Sequence, residues 1–367
     1  MKNLVHPHDF DPALDLPLGD ARVIECLERG ARAFDWDARY REDPGRGRRR
    51  RGVGVACGAH KNGFFAADCP DFSSVVLRMN EDGSLILNAA VHDVGCGVAT
   101  TMRIIVGEVL GVDPDLVAVG AADTENSPYD DGCYGSRSTY VIGACARRAA
   151  QMLRDELLTW GSRFLEEPPG CLGAGGGRVY VADEPQRGLS YAEIAAKVVS
   201  QGRGGLLVAH THHAASNPGA YSVQFAAVEV DTFTGLVRVT DFLAACDIGR
   251  AINRTMVEGQ FQGAVQMGIG YALCEELLLD SAGRPANNSF RKYNVVNAPD
   301  MPDVRVLLIE HAGDDGPFGA KSVGEISAAP TAAAVVNAVN RALGTSLSDL
   351  PLTPEKILAA LRGRGTW

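Results

Sequence analysis

The chain has 367 residues, 46% of them hydrophobic, enough to bury one large core or two smaller ones. A formal net charge of −10 excludes bulk attraction to nucleic acid or to an anionic membrane surface. No apolar run approaches the roughly 18 residues that a membrane-spanning helix needs. The N-terminus, Met1-Lys-Asn-Leu-Val-His-Pro-His-Asp9, lacks the apolar stretch of a signal peptide, so a cytoplasmic location is expected. Nine cysteines, at positions 26, 57, 69, 96, 133, 145, 171, 246 and 274, form no Cys-x-x-Cys pair. That spacing argues against zinc or iron–sulfur ligation by this chain and for reduced thiols.

Residues 1–51 read as a polar lead-in with one helix over 18–36, its inner side formed by Val23, Ile24, Leu27 and Ala31 and its N-cap by Asp20. The basic run at 46–51 reads as a solvated approach to a strand, with contact to an acidic partner as the alternative. Strands follow at 52–57 and in a hairpin, 74–79 and 84–91, turned at 80–83. A helix is expected over 100–110, with Met102, Ile105, Val106 and Val109 inward and Gly111 as its stop. A strand at 116–119 leads into a polar loop, 123–138. The next helix, 139–158, carries Ile142, Ala146, Ala149, Leu153 and Leu157 inward. Gly173–Gly177 reads as a turn. Ser190-Tyr-Ala-Glu193 is a capping box opening a helix to Val199.

Two further strands, 222–230 and 236–245, are joined by the turn at 231–235. A long helix is expected over 253–278. Its Gly259, Gly263, Gly268 and Gly270 each cost roughly 1 kcal/mol relative to alanine, which points to close packing on another helix or on a ligand. A strand at 304–307, a small-residue helix over 327–343 and a closing helix over 354–361 complete the chain. The order of elements predicts an α+β fold with mixed sheets in two interleaved subdomains, spanning 52–367.

Three glycine-bearing turns each lead into an expected helix: Val94-Gly-Cys-Gly97, Gly132-Cys-Tyr-Gly-Ser-Arg-Ser138 and Gly319-Ala-Lys-Ser-Val-Gly324. Free N–H groups at a helix start favour anions. Ser136 and Ser138 offer hydroxyl donors, and Arg137 a fixed positive charge. Glu325 closes the third turn, either as a helix cap or as a general base in a tight site.

The segment Gly319-Ala-Lys-Ser-Val-Gly-Glu325 resembles the active-site glutamate loop of the molybdenum hydroxylases, the xanthine dehydrogenase and aldehyde oxidoreductase family. The resemblance runs from about Arg51 to Leu361. It includes His92-Asp-Val-Gly-Cys-Gly97, Gly135-Ser-Arg-Ser-Thr139, Asp247-Ile-Gly-Arg-Ala-Ile-Asn253, Glu258-Gly-Gln260 and Leu350-Pro-Leu-Thr-Pro354. Each motif is short, but their order and spacing together are specific.

The resemblance implies a molybdopterin-binding domain of the aldehyde oxidoreductase type, equivalent to the C-terminal half of the family's molybdenum subunit. Glu325 matches the catalytic base. Lys321, Ser322, Val323 and Gly324 match the loop beside the molybdenum, and Gly135, Ser136, Arg137 and Ser138 match the segment that binds the pterin and phosphate. Gln260 matches a pterin-binding glutamine. Gly95 and Cys96 match a Gly-Gln pair near the metal, with cysteine standing where glutamine is common.

The implied cofactor is molybdenum–molybdopterin, with or without a nucleotide. No metal ligand falls on this chain. The first molybdopterin half is expected on a separate chain, as in the medium subunit of nicotinate dehydrogenase-like enzymes, with FAD and 2Fe-2S clusters on further subunits. The implied activity is hydroxylation of an aromatic N-heterocycle, purine or nicotinate-like, with water as the oxygen source. A non-catalytic assembly subunit and an aldehyde oxidoreductase subunit are the alternatives.

Overall fold

The structure, a computed structural model, describes residues 2–11, 16–66, 69–313 and 316–363. Residues 1 and 12–15 of the expected lead-in, and 364–367 of the expected domain, lie outside the described residues. Helix α1 (Val23–Phe34) buries Val23, Cys26, Gly30 and Phe34. Its start is corrected from Leu18 to Val23. Asp20 is not its cap, because the carboxylate pairs with Arg22 Nε at 2.6 Å. A short helix, α2 (Trp36–Arg41), leads to strand β1 (Arg49–His60). The arginine run therefore lies partly within a strand. Arg49 and Arg51 each reach Glu229 at 3.2 Å and Arg48 reaches Asp231 at 2.8 Å, cross-strand pairs whose solvent exposure keeps them weak.

Strands β2 (Phe72–Met79) and β3 (Leu85–Ala89) form the expected hairpin. Helix α3 (Val98–Leu110) ends on Gly111 in the left-handed conformation, as its sequence predicts. Strand β4 (Val117–Val119) pairs parallel to β3. Helix α4 (Gly143–Leu165) is longer than expected and is entered through a π-turn, Ser138–Ile142. Strands β5 (Leu172–Gly175), β6 (Arg178–Val181) and β7 (Glu184–Ser190) make a small sheet. The glycine run is thus mostly strand, with its turn at Gly176 and Gly177. The capping box opens α5 (Tyr191–Ser200) as expected. No strand is expected over 206–213, yet β8 (Leu206–His213) forms there. Its polar end, His-Thr-His-His, masks an alternation that buries Leu206 and Val208.

Strands β9 (Ala220–Asp231) and β10 (Val237–Gly249) are followed by α6 (Arg254–Leu273), β11 (Val304–Glu310), α7 (Thr331–Leu343) and α8 (Pro354–Gly363). Helix α6 stops at Leu273, short of the expected Leu278. The chain folds back so that Cys274 and Glu275 both donate N–H to the Gly270 carbonyl. A side chain at Gly270 would meet the Glu275 carboxylate, so that glycine makes room for the reversal. Gly268 lets Thr331 of α7 approach closely, as the sequence anticipates for helix packing.

Two mixed sheets carry the fold, and the α+β expectation holds. One has the order β8-β2-β3-β4 and packs Leu77, Leu85 and Leu87 against α3, α4 and α5. The other has the order β11-β10-β9-β1. Strand β9 presents Tyr221, Val223 and Phe225 to the α1 side and Ala226, Val228 and Val230 to the α6, α7 and α8 side. The chain thus builds β1 into the second sheet before making the first and then returns. No helix among the described residues is long and apolar enough to cross a membrane.

Helix α7 lies directly on β1. A Cβ at Gly54 would fall 2.2 Å from the Ala334 carbonyl oxygen and 2.3 Å from Ala338 N. Gly54→Ala should therefore cost about 1–3 kcal/mol, visible as a fall of several degrees in melting temperature. An unchanged transition contradicts the contact.

Candidate functional site

A cleft of about 1010 Å³ is bordered by residues from both sheet assemblies. The 94–101 segment, loop 133–139, α6 and loop 321–329 all contribute to its wall. Its size sits at the upper end for small-molecule sites.

Arg137 fixes the first loop. Its guanidinium is fully buried and lies between two buried carboxylates, Asp71 at 2.8 Å and Asp130 at 2.5 Å. It also donates to the carbonyls of Phe72 and Gly132. Burial alone lowers its pKa, but the two carboxylates more than reverse this and hold the guanidinium charged. The positive charge expected at the cleft is thus corrected: it is neutralised inside the protein. The sequence gives a signal for Asp130, in the acidic loop, and none for Asp71.

Lys321 follows the same rule. It is 5% exposed, with Nζ 2.7 Å from Asp247 and 2.8 Å from the Asp20 carbonyl. Burial pushes the Asp247 carboxyl up, against the pull of Lys321 and of the Arg22 and Gly249 amides. The lysine therefore ties the N-terminal segment to the glutamate loop.

The two loops are laced together. Ser136 Oγ donates to the Glu325 carboxylate and accepts from the N–H groups of Gly324 at 3.2 Å and Glu325 at 3.1 Å. A Cβ on Gly324 would lie 2.9 Å from that hydroxyl, so this close approach requires glycine. Ser322 Oγ accepts from Tyr140 N at 3.0 Å, and Ser322 N donates to Asn62 Oδ1 at 2.7 Å. Ser138 is buried and its hydroxyl faces Cys133 Sγ at 3.4 Å. The serine hydroxyls expected as ligand donors are turned to the protein instead.

Glu325 itself is exposed on the cleft wall. It opens a single 3-10 turn, Glu325–Ser327, and α7 begins later, at Thr331, with no side-chain cap. Pro330 occupies its N-cap position. The helix-cap alternative for Glu325 is therefore corrected: its carboxylate bonds Ser136 of the facing loop.

The turn before α3 carries a further correction. Asp93 accepts from Gly95 N and Gly97 N, both at 3.0 Å, and from Ala99 N at 3.3 Å. The helix start expected to favour an anion already holds one. Partial burial opposes ionisation, but these amides outweigh it and keep Asp93 below the usual carboxylate range. Gly95, at φ +100°, and Gly135, whose carbonyl accepts from Gly63 N, are not among the residues that border the cleft.

Cys96 does border it. Its Sγ lies 3.9 Å from Asp93 Oδ1, and burial followed by the neighbouring Cys133 raises its pKa. Val323 and Gln260 also line the cleft, and the Gln260 amide makes no hydrogen bond to another described residue. Gly259 and Gly263 of α6 face open space there, beside Met267 and Tyr271. Arg250, Met256, Tyr134, Glu275 and Glu276 also border it and are not singled out by residue type alone. Among the described residues, no cluster of three or more His, Cys, Asp or Glu side chains is arranged to hold a metal ion.

Arg137→Met should destabilise the protein by about 3–5 kcal/mol, because it leaves buried carboxylates unpaired. Neutralising Asp71 and Asp130 as well should recover part of the loss in denaturant melts. Asp93 behaves differently with pH. Its folded pKa is depressed, so its contribution is complete above the unfolded value of about 3.9 and is lost as pH falls through the folded value. Asp93→Ala should lower the melting temperature above about pH 5, with the difference closing at lower pH. A pH-independent difference contradicts this electrostatic role.

Residues 29–302 match the molybdopterin cofactor-binding domain family. A putative xanthine dehydrogenase molybdenum-binding subunit of Escherichia coli is 30% identical over 97% of this chain and 48% of its own length. The gamma subunit of the 6-hydroxypseudooxynicotine dehydrogenase complex of Paenarthrobacter nicotinovorans is 32% identical over 80% of this chain and 38% of its own. Among solved structures, quinoline 2-oxidoreductase from Pseudomonas putida superimposes with a TM-score of 0.80 at 29% identity, over 93% of this chain and 45% of that one. This chain spans half or less of the length of these relatives. A fold match, a domain match and a set of motifs in the same order converge, and the chain belongs to the molybdenum hydroxylase family.

Proposed function

We propose that this chain supplies half of the molybdopterin site of a molybdenum hydroxylase, with Glu325 as its general base. The observation that carries the reading is the Glu325 carboxylate on the wall of the large cleft, held by Ser136 of a second loop that borders the same cleft. The free amide of Gln260 fits the hydrogen-bonding edge of a pterin, and the open face at Gly259 and Gly263 admits a flat group close to α6. Val323, Gly324 and the backbone of the 136–138 segment are the remaining contacts we assign. The inward-turned guanidinium of Arg137 and ammonium of Lys321 fix the backbone there.

When bound, the molybdenum cofactor activates water and takes up two electrons. Glu325 receives the proton lost in that activation. Val94, Ile252, Met256 and Met267 supply apolar wall for a flat, electron-poor ring. Relatives named for xanthine and for 6-hydroxypseudooxynicotine support an aromatic N-heterocycle, and an aldehyde oxidoreductase at 29% identity keeps an aldehyde as the alternative. The other molybdopterin half, together with FAD and 2Fe-2S subunits, would complete a cytoplasmic complex.

Cys96 favours a second reading, a non-catalytic assembly subunit, because a neutral thiol is a weak donor beside a cofactor. Elemental analysis of the purified complex separates the two, since the catalytic reading requires molybdenum. Glu325→Gln should lower turnover by at least about a hundredfold with molybdenum content unchanged. Retained turnover removes Glu325 from the mechanism.

A further inference from the structure

We infer that Ser136 is the positioning residue of the Glu325 carboxylate, and that its hydroxyl does not bind the cofactor. The inference rests on the assignment of Glu325 as the base. A serine hydroxyl has one proton to donate and two lone pairs that accept. At Ser136 all three are engaged by one neighbouring loop. The proton goes to Glu325 Oε2, and the lone pairs take the N–H groups of Gly324 and Glu325 at 3.2 and 3.1 Å. No hydrogen-bonding capacity remains for a ligand.

The arrangement fixes direction as well as distance. The same oxygen holds both the backbone and the side chain of Glu325, so the carboxylate cannot rotate freely about its side-chain bonds while both contacts persist. One carboxylate oxygen is engaged by Ser136, and the carboxyl group stays at the exposed cleft wall. Two further features hold Ser136 in a backbone conformation that it would not otherwise favour. Its backbone adopts φ +54°, a conformation that a side-chain-bearing residue seldom takes. The neighbouring Arg137 is clamped between Asp71 and Asp130. Gly324 leaves room for the hydroxyl to reach the amides. A strained serine anchored by a buried ion pair has the character of a built clamp rather than of a chance surface contact.

The test uses the assembled, cofactor-loaded complex. Ser136→Ala removes the hydroxyl at the same backbone strain. Ser136→Gly removes it and relieves the strain, so a fold defect in the first variant would not carry over to the second. Both should lower kcat by about 10- to 100-fold, the scale of a misplaced catalytic group, while KM stays within about twofold and molybdenum content matches wild type. Isotope-edited infrared spectra of the complex should show the Glu325 carboxylate stretch displaced in both variants, a readout that does not depend on turnover. Wild-type kcat in Ser136→Gly, with Glu325→Gln inactive, overturns the positioning role and leaves the base assignment standing. Loss of molybdenum in both serine variants overturns it too, since that places the hydroxyl on the cofactor. An active Glu325→Gln enzyme overturns the base assignment and this inference together.

Discussion

The buried guanidinium of Arg137, held between Asp71 and Asp130, is the constraint on which the cleft depends. Two carboxylates brought out of water need a counter-charge, and a single arginine serves both with its planar fork. That fork fixes the backbone of the 132–138 turn relative to β2. The turn in turn places Ser136 against the glutamate loop. A second buried pair, Lys321 with Asp247, fixes the far end of that loop to β10 and to the N-terminal segment. The exposed carboxylate of Glu325 is therefore supported by two ion pairs that never meet solvent.

This architecture inverts the simple electrostatic picture of the motifs. Arginine, lysine and serine beside glycine turns suggest side chains reaching for an anion. In the folded chain the same residues reach into the protein and knit the walls together, and Asp93 occupies the helix start that an anion would otherwise take. Bordering the cleft are Gln260, the open glycines Gly259 and Gly263, an apolar surface that includes Val94 and Met267, and the charged residues Arg250, Glu275 and Glu276.

The sequence makes much of this legible because the strongest signals are local. The capping box at Ser190 and Glu193, the glycine stop at Gly111 and the hairpin at 80–83 each act over a few residues and appear where expected. Boundaries set by tertiary contacts are less visible. Helix α6 stops early because Glu275 folds back over Gly270, and nothing in the apolar run that follows announces it. Strand β8 hides because three histidines occupy its polar end. The glutamate loop and Gln260 are legible from motif order, whereas the direction each side chain takes is not. Arg137 turns inward to Asp130, seven positions earlier, and to Asp71, 66 positions earlier, and the second partner is invisible in the local sequence.

The central claim is spatial: a single carboxylate, placed by two interlocked loops, adjoins the reacting centre. Locating molybdenum in the assembled complex, by anomalous diffraction or by cryo-electron microscopy, tests it most directly. The account predicts a Glu325 oxygen within hydrogen-bond reach, about 2.6–3.2 Å, of an atom bound to the metal. Molybdenum bound elsewhere, with Glu325 facing solvent and no pterin in the cleft, contradicts it.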